Sequence, residues 1–260
     1  MIKLSDYLDI PPMGEVIRDR RIAEKQRERR FAAAKGGRLH SGWTTQPESA
    51  NHVLRQGIKI LRARAREMAA DIPHFKKYLS MCRSNIIGQN GIQLQVRARK
   101  PDTSLNADLN KRVEMAFWEW SYAETCTVSG KLDWLAAQRL FVTQLARDGE
   151  VLVQKVKAKN AFGFALRFID VSYLDEGFNR TLPNGNRILM SVEVDNNDRP
   201  VAYWLTTPAT DLEYRQHARR DPVRIPAAEI IHAFLVQDDE SQVRGVTWFA
   251  AALMQGKSLA

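Results

Sequence analysis

The sequence predicts an α+β domain in which helices come first and antiparallel hairpins follow. Apolar residues in 51–147 recur every three to four positions, with one strand-like interruption. Those in 151–236 alternate at strand spacing around turn signals. Runs of each kind, rather than alternation, argue against a parallel βαβ sheet. The proportions are globular, with 44% hydrophobic and 27% charged residues, which excludes wholesale disorder, collagen and a disulfide scaffold. A chain of 260 residues buries roughly 70% of its unfolded surface, enough for one large domain.

Residues 1–50 form a basic N-terminal arm and linker. Positions 18–38 carry nine Lys/Arg against three Asp/Glu, among them Arg20, Arg21, Arg27, Arg29 and Arg30. They favour helix but have almost no apolar stripe, so such a helix needs a partner to be stable. Gly36-Gly37 and the 41–49 stretch read as a linker, and a core is expected over 51–260.

Asn51 is a candidate N-cap for a helix over 52–70, whose stripe is Val53, Leu54, Ile58, Leu61, Ala65 and Met68. Arg55, Lys59, Arg62, Arg64 and Arg66 occupy much of the rest of its surface. Asp71-Ile72-Pro73 restarts a second helix with Pro73 in its first turn, where a missing N–H costs little. Phe75, Leu79, Cys82 and Ile86 recur every three to four residues, Lys76 and Lys77 lie between them, and Gly88 with Asn90-Gly91 ends the helix as a turn. IQLQVRA (92–98) alternates as a strand does.

A third helix is expected over 105–123, with Leu109, Val113, Ala116, Phe117 and Trp120 as its apolar face and Trp118 about 200° away. Ser129-Gly130 breaks the chain before a fourth helix over 131–147. Segments 151–158 and 164–170 form one hairpin, and 187–194 and 200–207 a second around Asp195–Arg199. Residues 224–236 read as strand, and a last helix begins after Gly245.

Catalytic signatures are sparse. The sequence has no P-loop, GxGxxG, GxSxG or HExxH pattern. His232 lies in an apolar run with no second ligand at metal spacing and reads as a satisfied, half-buried histidine. Glu193, Asp195 and Asp198 fit hairpin-turn chemistry better than a divalent-cation site. Asp238-Asp239-Glu240 reads as a solvated or docking loop. No cofactor or metal is expected. Cys82 and Cys126 are far apart and suit packing in a reducing compartment. There is neither an apolar run of about 18 residues nor a signal-peptide pattern, so no membrane partner is expected.

Charge is uneven. Residues 51–100 hold eleven Lys/Arg and two Asp/Glu, whereas 101–260 are mildly acidic although the whole chain is +9. Such asymmetry points to a polyanion or to an electrostatic match with another subunit. A stand-alone basic nucleic-acid-binding module without catalytic activity remains an alternative, although no helix-turn-helix, zinc-finger or RNA-binding aromatic signature appears.

Four segments in order resemble the lambda-type portal family of tailed bacteriophages. LRARAREMAADIPHFKKYLSMCRSNIIGQNGIQLQ (61–95) resembles its basic helix, Pro break (Pro73), second helix and glycine turn (Gly88, Gly91). Residues 117–153 are similar to its run ending in Asp148-Gly149-Glu150. SVEVDNNDRPVAYWL (191–205) is similar to its second hairpin, with Ser191 and Asp198 where Gly is usual. Residues 225–253 resemble its Ile-Pro-Ala, His232 and Gln242-x-Arg244-Gly245 pattern. Asp238-Asp239-Glu240 depart from a usually basic loop.

The resemblance implies a structural, non-enzymatic subunit of a homo-oligomeric ring of about twelve copies. Such a ring sits at a capsid vertex of the virion, is assembled in the bacterial host cytoplasm, and is encoded by a phage or prophage. It passes double-stranded DNA without reading its sequence. Its partners are the terminase, major capsid or scaffold protein and head-completion proteins. The segment corresponds to the wing, with the start of the stem and clip region. Family members are roughly twice this length, so a chain truncated before the channel helix and crown is expected. The basic residues named above would contact DNA or neighbouring subunits.

Overall fold

The computed structural model describes Arg18, Arg21, residues 48–206 and residues 221–258. The chain forms two units, Met1–Pro47 and Glu48–Ala260. Of the first, Arg18 and Arg21 are helical and exposed; Arg20, Arg27, Arg29 and Arg30 lie outside the described residues.

In the second unit α1 spans Ala50–Asp71. Its cap is Ser49, whose hydroxyl accepts from the His52 N–H at 3.3 Å. Asn51, the predicted cap, instead lies within the first turn and holds a distant loop: its amide donates to the Ser241 carbonyl at 2.7 Å and accepts from the Val243 N–H at 3.0 Å. Ile72 interrupts the helix, and α2 (Pro73–Cys82) restarts with proline in its first turn and runs into a π-turn, Arg83–Ile87, ended by Gly88 at φ +75°. Leu54, Ile58, Arg62, Ala65 and Met68 are the buried stripe of α1, while Val53 is exposed.

Residues 92–98 belong to no strand and form no ladder, which corrects the predicted strand. Side chains replace the partner strand. The N–H of Ile92 donates to Gln138 Oε1 at 2.7 Å, that of Val96 to Glu114 Oε1 at 2.9 Å, and that of Ala98 to Asn110 Oδ1 at 2.8 Å. Alternation does not fix what pairs with a segment.

The third helix, α3, is Ala107–Trp120, capped by Asn106. Its predicted apolar face is only partly used: Trp120 is buried and Phe117 half-buried, but Leu109, Val113 and Ala116 are exposed, as is Trp118. A short α4 (Ala123–Cys126) precedes α5 (Trp134–Asp148), which is capped by Asp133 through the Ala136 N–H at 2.7 Å.

Strands β1 (Glu150–Lys157) and β2 (Phe164–Ile169) form the predicted hairpin. The predicted strand 224–236 is split by a 3₁₀ turn, Ala227–Glu229, into β7 (Val223–Pro226) and β8 (Ile230–Phe234). The first half pairs with β6 (Pro200–Leu205) and the second with β1, so one segment links two sheets. The sheets have the orders β2-β1-β8 and β3-β4-β5-β6-β7, where β3 is Arg180–Thr181, β4 Arg187–Leu189 and β5 Val192–Val194. Every pairing is antiparallel.

Both faces of β1 are covered. Leu152 enters a core with Ile169, Val192, Val194, Tyr203 and Ile230. Val151 and Val153 point the other way, onto Trp120, Cys126 and Leu166. A third cluster joins α1, α2, α5 and the terminal helix α6 (Leu253–Ser258) through Met68, Phe75, Leu79, Val142, Phe249 and Leu253. Cys82 and Cys126 are buried and unpaired, and burial pushes the Cys126 thiol up to about 11. Ser191 and Asp198 have φ of +70° and +59°, a left-handed backbone that explains why glycine suits both positions. No helix among the described residues is long and apolar enough to cross a membrane.

Candidate functional site: a buried charge junction

Glu150 opens β1 directly after the helix-ending Gly149, which the left-handed φ of +89° requires to be glycine. The Glu150 carboxylate is fully buried and nearly saturated with donors. Oε1 accepts from Arg62 Nη2 at 2.9 Å and Arg244 Nη2 at 2.6 Å. Oε2 accepts from Arg244 Nε at 2.8 Å and the Gly245 N–H at 3.2 Å, and lies 3.0 Å from His232 Nε2. β8 places His232 opposite Leu152 in register, which brings its ring to the carboxylate.

Arg244 is completely buried, and its remaining N–H groups reach the carbonyls of Met190 (3.0 Å), Leu174 (3.3 Å) and Val171 (3.4 Å). One guanidinium therefore ties β1 to the loops entering the second sheet. Arg62 spans Glu150 and Glu176, the latter at 3.0 Å. Gln242 fixes the loop itself: its amide donates to the Arg244 carbonyl at 2.7 Å, and its Oε1 accepts from the Gln237 N–H at 2.9 Å. Two glycines let the strands cross. A Cβ on Gly149 would strike the backbone of Val246 and Thr247, and one on Gly245 the Gly149 carbonyl and Phe234.

Burial alone would raise the Glu150 carboxyl, but Arg244 and His232 outweigh it and hold it well below the usual range. Arg244 is held more basic by the same contact against the opposing pull of burial. Beside this hub Arg66 bridges Asp148 (2.9 Å) and Asp170 (2.8 Å), and Arg147 also reaches Asp148 at 2.8 Å. Burial opposes ionisation of Asp170, yet Arg66 and Ser172 push its carboxyl down to about 2.

These contacts correct the sequence reading of α1. Arg62 is 4% exposed and Arg66 is turned into ion pairs within the chain, so Arg62 presents no cation to a partner surface. Its position carried a readable signal: it lies four residues after Ile58 and three before Ala65, on the buried stripe. Its carboxylate partners Glu150 and Glu176 are 88 and 114 residues away, beyond any local pattern. Arg55, Lys59, Arg64, Lys76 and Lys77 are exposed. Pro73, Gly88 and Gly91 shape the α2 turn and its exit; a Cβ on Gly91 would meet Leu135 and Gln138.

The junction brings together Gly149, Glu150, His232, Gln242, Arg244 and Gly245, which sequence alone scattered over about a hundred positions. The clefts at Trp118–Trp134, Arg83–Arg139, Thr127–Phe168 and Phe141–Ile231 include none of its charged members. Among the described residues no group of three or more His, Cys, Asp or Glu is placed to hold a metal. A carboxylate saturated by fixed donors is a clamp between elements, not an acid or base poised for transfer.

Comparison with known proteins agrees with that structural character. The family described as phage portal protein, lambda family, matches residues 36–260. A probable portal protein of Halomonas phage phiHAP-1 is 33% identical over 249 residues, which cover 95% of this chain and 47% of the relative. The chain thus spans about half the length of that curated relative. With the family's sequence model matched over residues 36–260, most of its length, the chain belongs to the lambda family of phage portal proteins.

Proposed function

We propose that the chain is a subunit of a homo-oligomeric portal ring at a capsid vertex, with about twelve copies around a path for double-stranded DNA. The observation that carries this furthest is the junction itself. Glu150, His232, Gln242, Arg244 and Gly245 are each satisfied within the fold, so the family's pattern serves to hold a rigid wing rather than a reaction. The role is structural, with no catalysis and no cofactor. Terminase, capsid or scaffold protein and head-completion proteins are its partners in this reading, and the virion, assembled in the host cytoplasm, is its place.

The exposed cations Arg55, Lys59, Arg64, Lys76 and Lys77 supply a basic face on α1 and α2. In this reading they meet a neighbouring subunit or DNA phosphates without reading bases. The arm in 1–50 orders on a partner such as packaged DNA, scaffold or capsid protein.

Native mass spectrometry and negative-stain microscopy of the purified protein test the proposal. Closed rings of about a dozen subunits are expected. A monomer that binds DNA with a steep inverse dependence on salt would overturn it in favour of a nucleic-acid-binding module.

A further inference from the structure

The apolar stripe of α3 begins in the core and continues out of it. Trp120 is 6% exposed, yet the same face runs on through Val113 (41% exposed) to Leu109 (42%), about 16 Å along the helix. Leu105, just before the helix, is 55% exposed. The segment 92–98 lies along α3, bonded to Glu114 and Asn110. A tight turn closes the tip, where the Lys100 N–H meets the Ser104 carbonyl at 2.8 Å and Arg99 bridges Leu105. Residues 92–120 are therefore a segment doubled back on helix α3, rooted at Trp120 and bare toward its tip. Between 92 and 113 it carries Arg97, Arg99, Lys100, Lys111 and Arg112, all exposed, against Asp102 and Asp108.

A second surface on the same chain has the complementary character. β8 is an edge strand of its sheet. Ile231, Leu235 and Val236 are exposed along and beyond it. Residues 229–240 carry Glu229, Asp238, Asp239 and Glu240 and no Lys or Arg, and all four acids are exposed. Beside Ile231 opens an apolar cleft of about 350 Å³ walled by Ile86, Phe141, Leu145 and Phe168.

We propose that the 92–120 segment is an assembly arm whose apolar, basic tip seats on the apolar, acidic β8 edge of a second copy of this chain. The arm cannot serve its own cleft. Ile92 at its root stands at the rim of that cleft, and the bonds of Val96 to Glu114 and Ala98 to Asn110 hold the chain beyond it along α3. Two different patches that match each other make a head-to-tail contact, which closes into a ring when the rotation closes. The inference rests on the ring reading above and assigns it an interface.

Charge reversal tests it on the full chain, followed by sedimentation velocity over a concentration series. Lys100→Glu with Arg112→Glu is expected to weaken self-association about tenfold or more, with an unchanged unfolding midpoint because both side chains are exposed. Asp238→Lys with Glu240→Lys acts alike. All four substitutions in one chain restore assembly, since the reversed arm then meets a reversed edge. Leu109→Ser with Val113→Ser weakens assembly without charge change. If the unaltered chain assembles and the arm variants match it, the arm proposal falls and the ring reading stands. If the unaltered chain stays monomeric up to its solubility limit, the self-association reading falls, and the arm with it.

Discussion

Glu150 shows how one side chain can organise distant parts of a chain. Its two oxygens meet two buried guanidiniums, Arg62 and Arg244, and Glu176 supplies a second anion to Arg62. Removing the charge leaves Arg62 facing only Glu176 and leaves Arg244 without an anion in direct contact. Glu150→Gln is expected to cost about 3–5 kcal/mol, the usual cost of breaking a buried pair from one side. Urea unfolding of the purified protein measures it, and a loss under about 1 kcal/mol would contradict the junction's role. Steric demands are as local. Gly245→Ala must force apart the Gly149 backbone and Phe234, so about 3 kcal/mol or more is expected. Gly163→Ala is the control. It has a left-handed φ of +76°, which Gly245 lacks, but nothing within 4 Å, so only the left-handed cost of about 1–2 kcal/mol applies. Equal losses at the two glycines would refute the crossing argument.

Among the elements, those with a local cause were readable and those with a distant partner were not. Helices α1, α2 and α5 and the β1–β2 hairpin follow from spacing, caps and turns that lie within each segment. Residues 92–98 carry the alternation of a strand, but Gln138 of α5 receives the first N–H, a pairing no periodicity encodes. Segment 224–236 reads as one strand, and a three-residue turn sends its halves to different sheets. The candidate site divides the same way: His232 reads as a satisfied histidine, but its partner Glu150 is 82 residues away. The Gln138 contact gives its own prediction. Its amide donates to the Ile92 carbonyl at 3.3 Å and accepts from the Ile92 N–H at 2.7 Å. Gln138→Leu removes both bonds, about 1 kcal/mol each, and should loosen the arm's root while leaving the cores packed. Hydrogen exchange at Ile92 and tryptic cleavage at Arg97 and Arg99 should both quicken, and unchanged rates would mean the segment is held by something else.

At the scale of the whole unit, its carboxylates give folding a definite pH dependence. Glu150 is held well below its ordinary range, where the attraction of Arg244 and His232 exceeds the effect of burial. Asp170 sits at about 2 against burial because of Arg66 and Ser172. Glu193, on the central strand of the second sheet, is lowered first by Arg224, then by Asn186 and Trp204. Each group has a lower pKa folded than unfolded, where carboxylates titrate near 4. The unfolded chain therefore binds more protons as pH falls through that range, and protonation favours unfolding. The stability these groups contribute is complete above about pH 5 and is lost progressively below it, the share of Asp170 down to about 2, its folded value. Acid also raises the positive charge of a chain already at +9, which adds self-repulsion in the same direction. The thermal midpoint should accordingly be flat from about pH 8 to 5 and fall steeply below it. Glu150→Gln separates the hub from the rest. That variant starts less stable at neutral pH and, lacking the most strongly depressed carboxylate, loses less on acidification, so the two curves converge toward low pH. Parallel curves would mean that Glu150 is not the group whose protonation releases the junction.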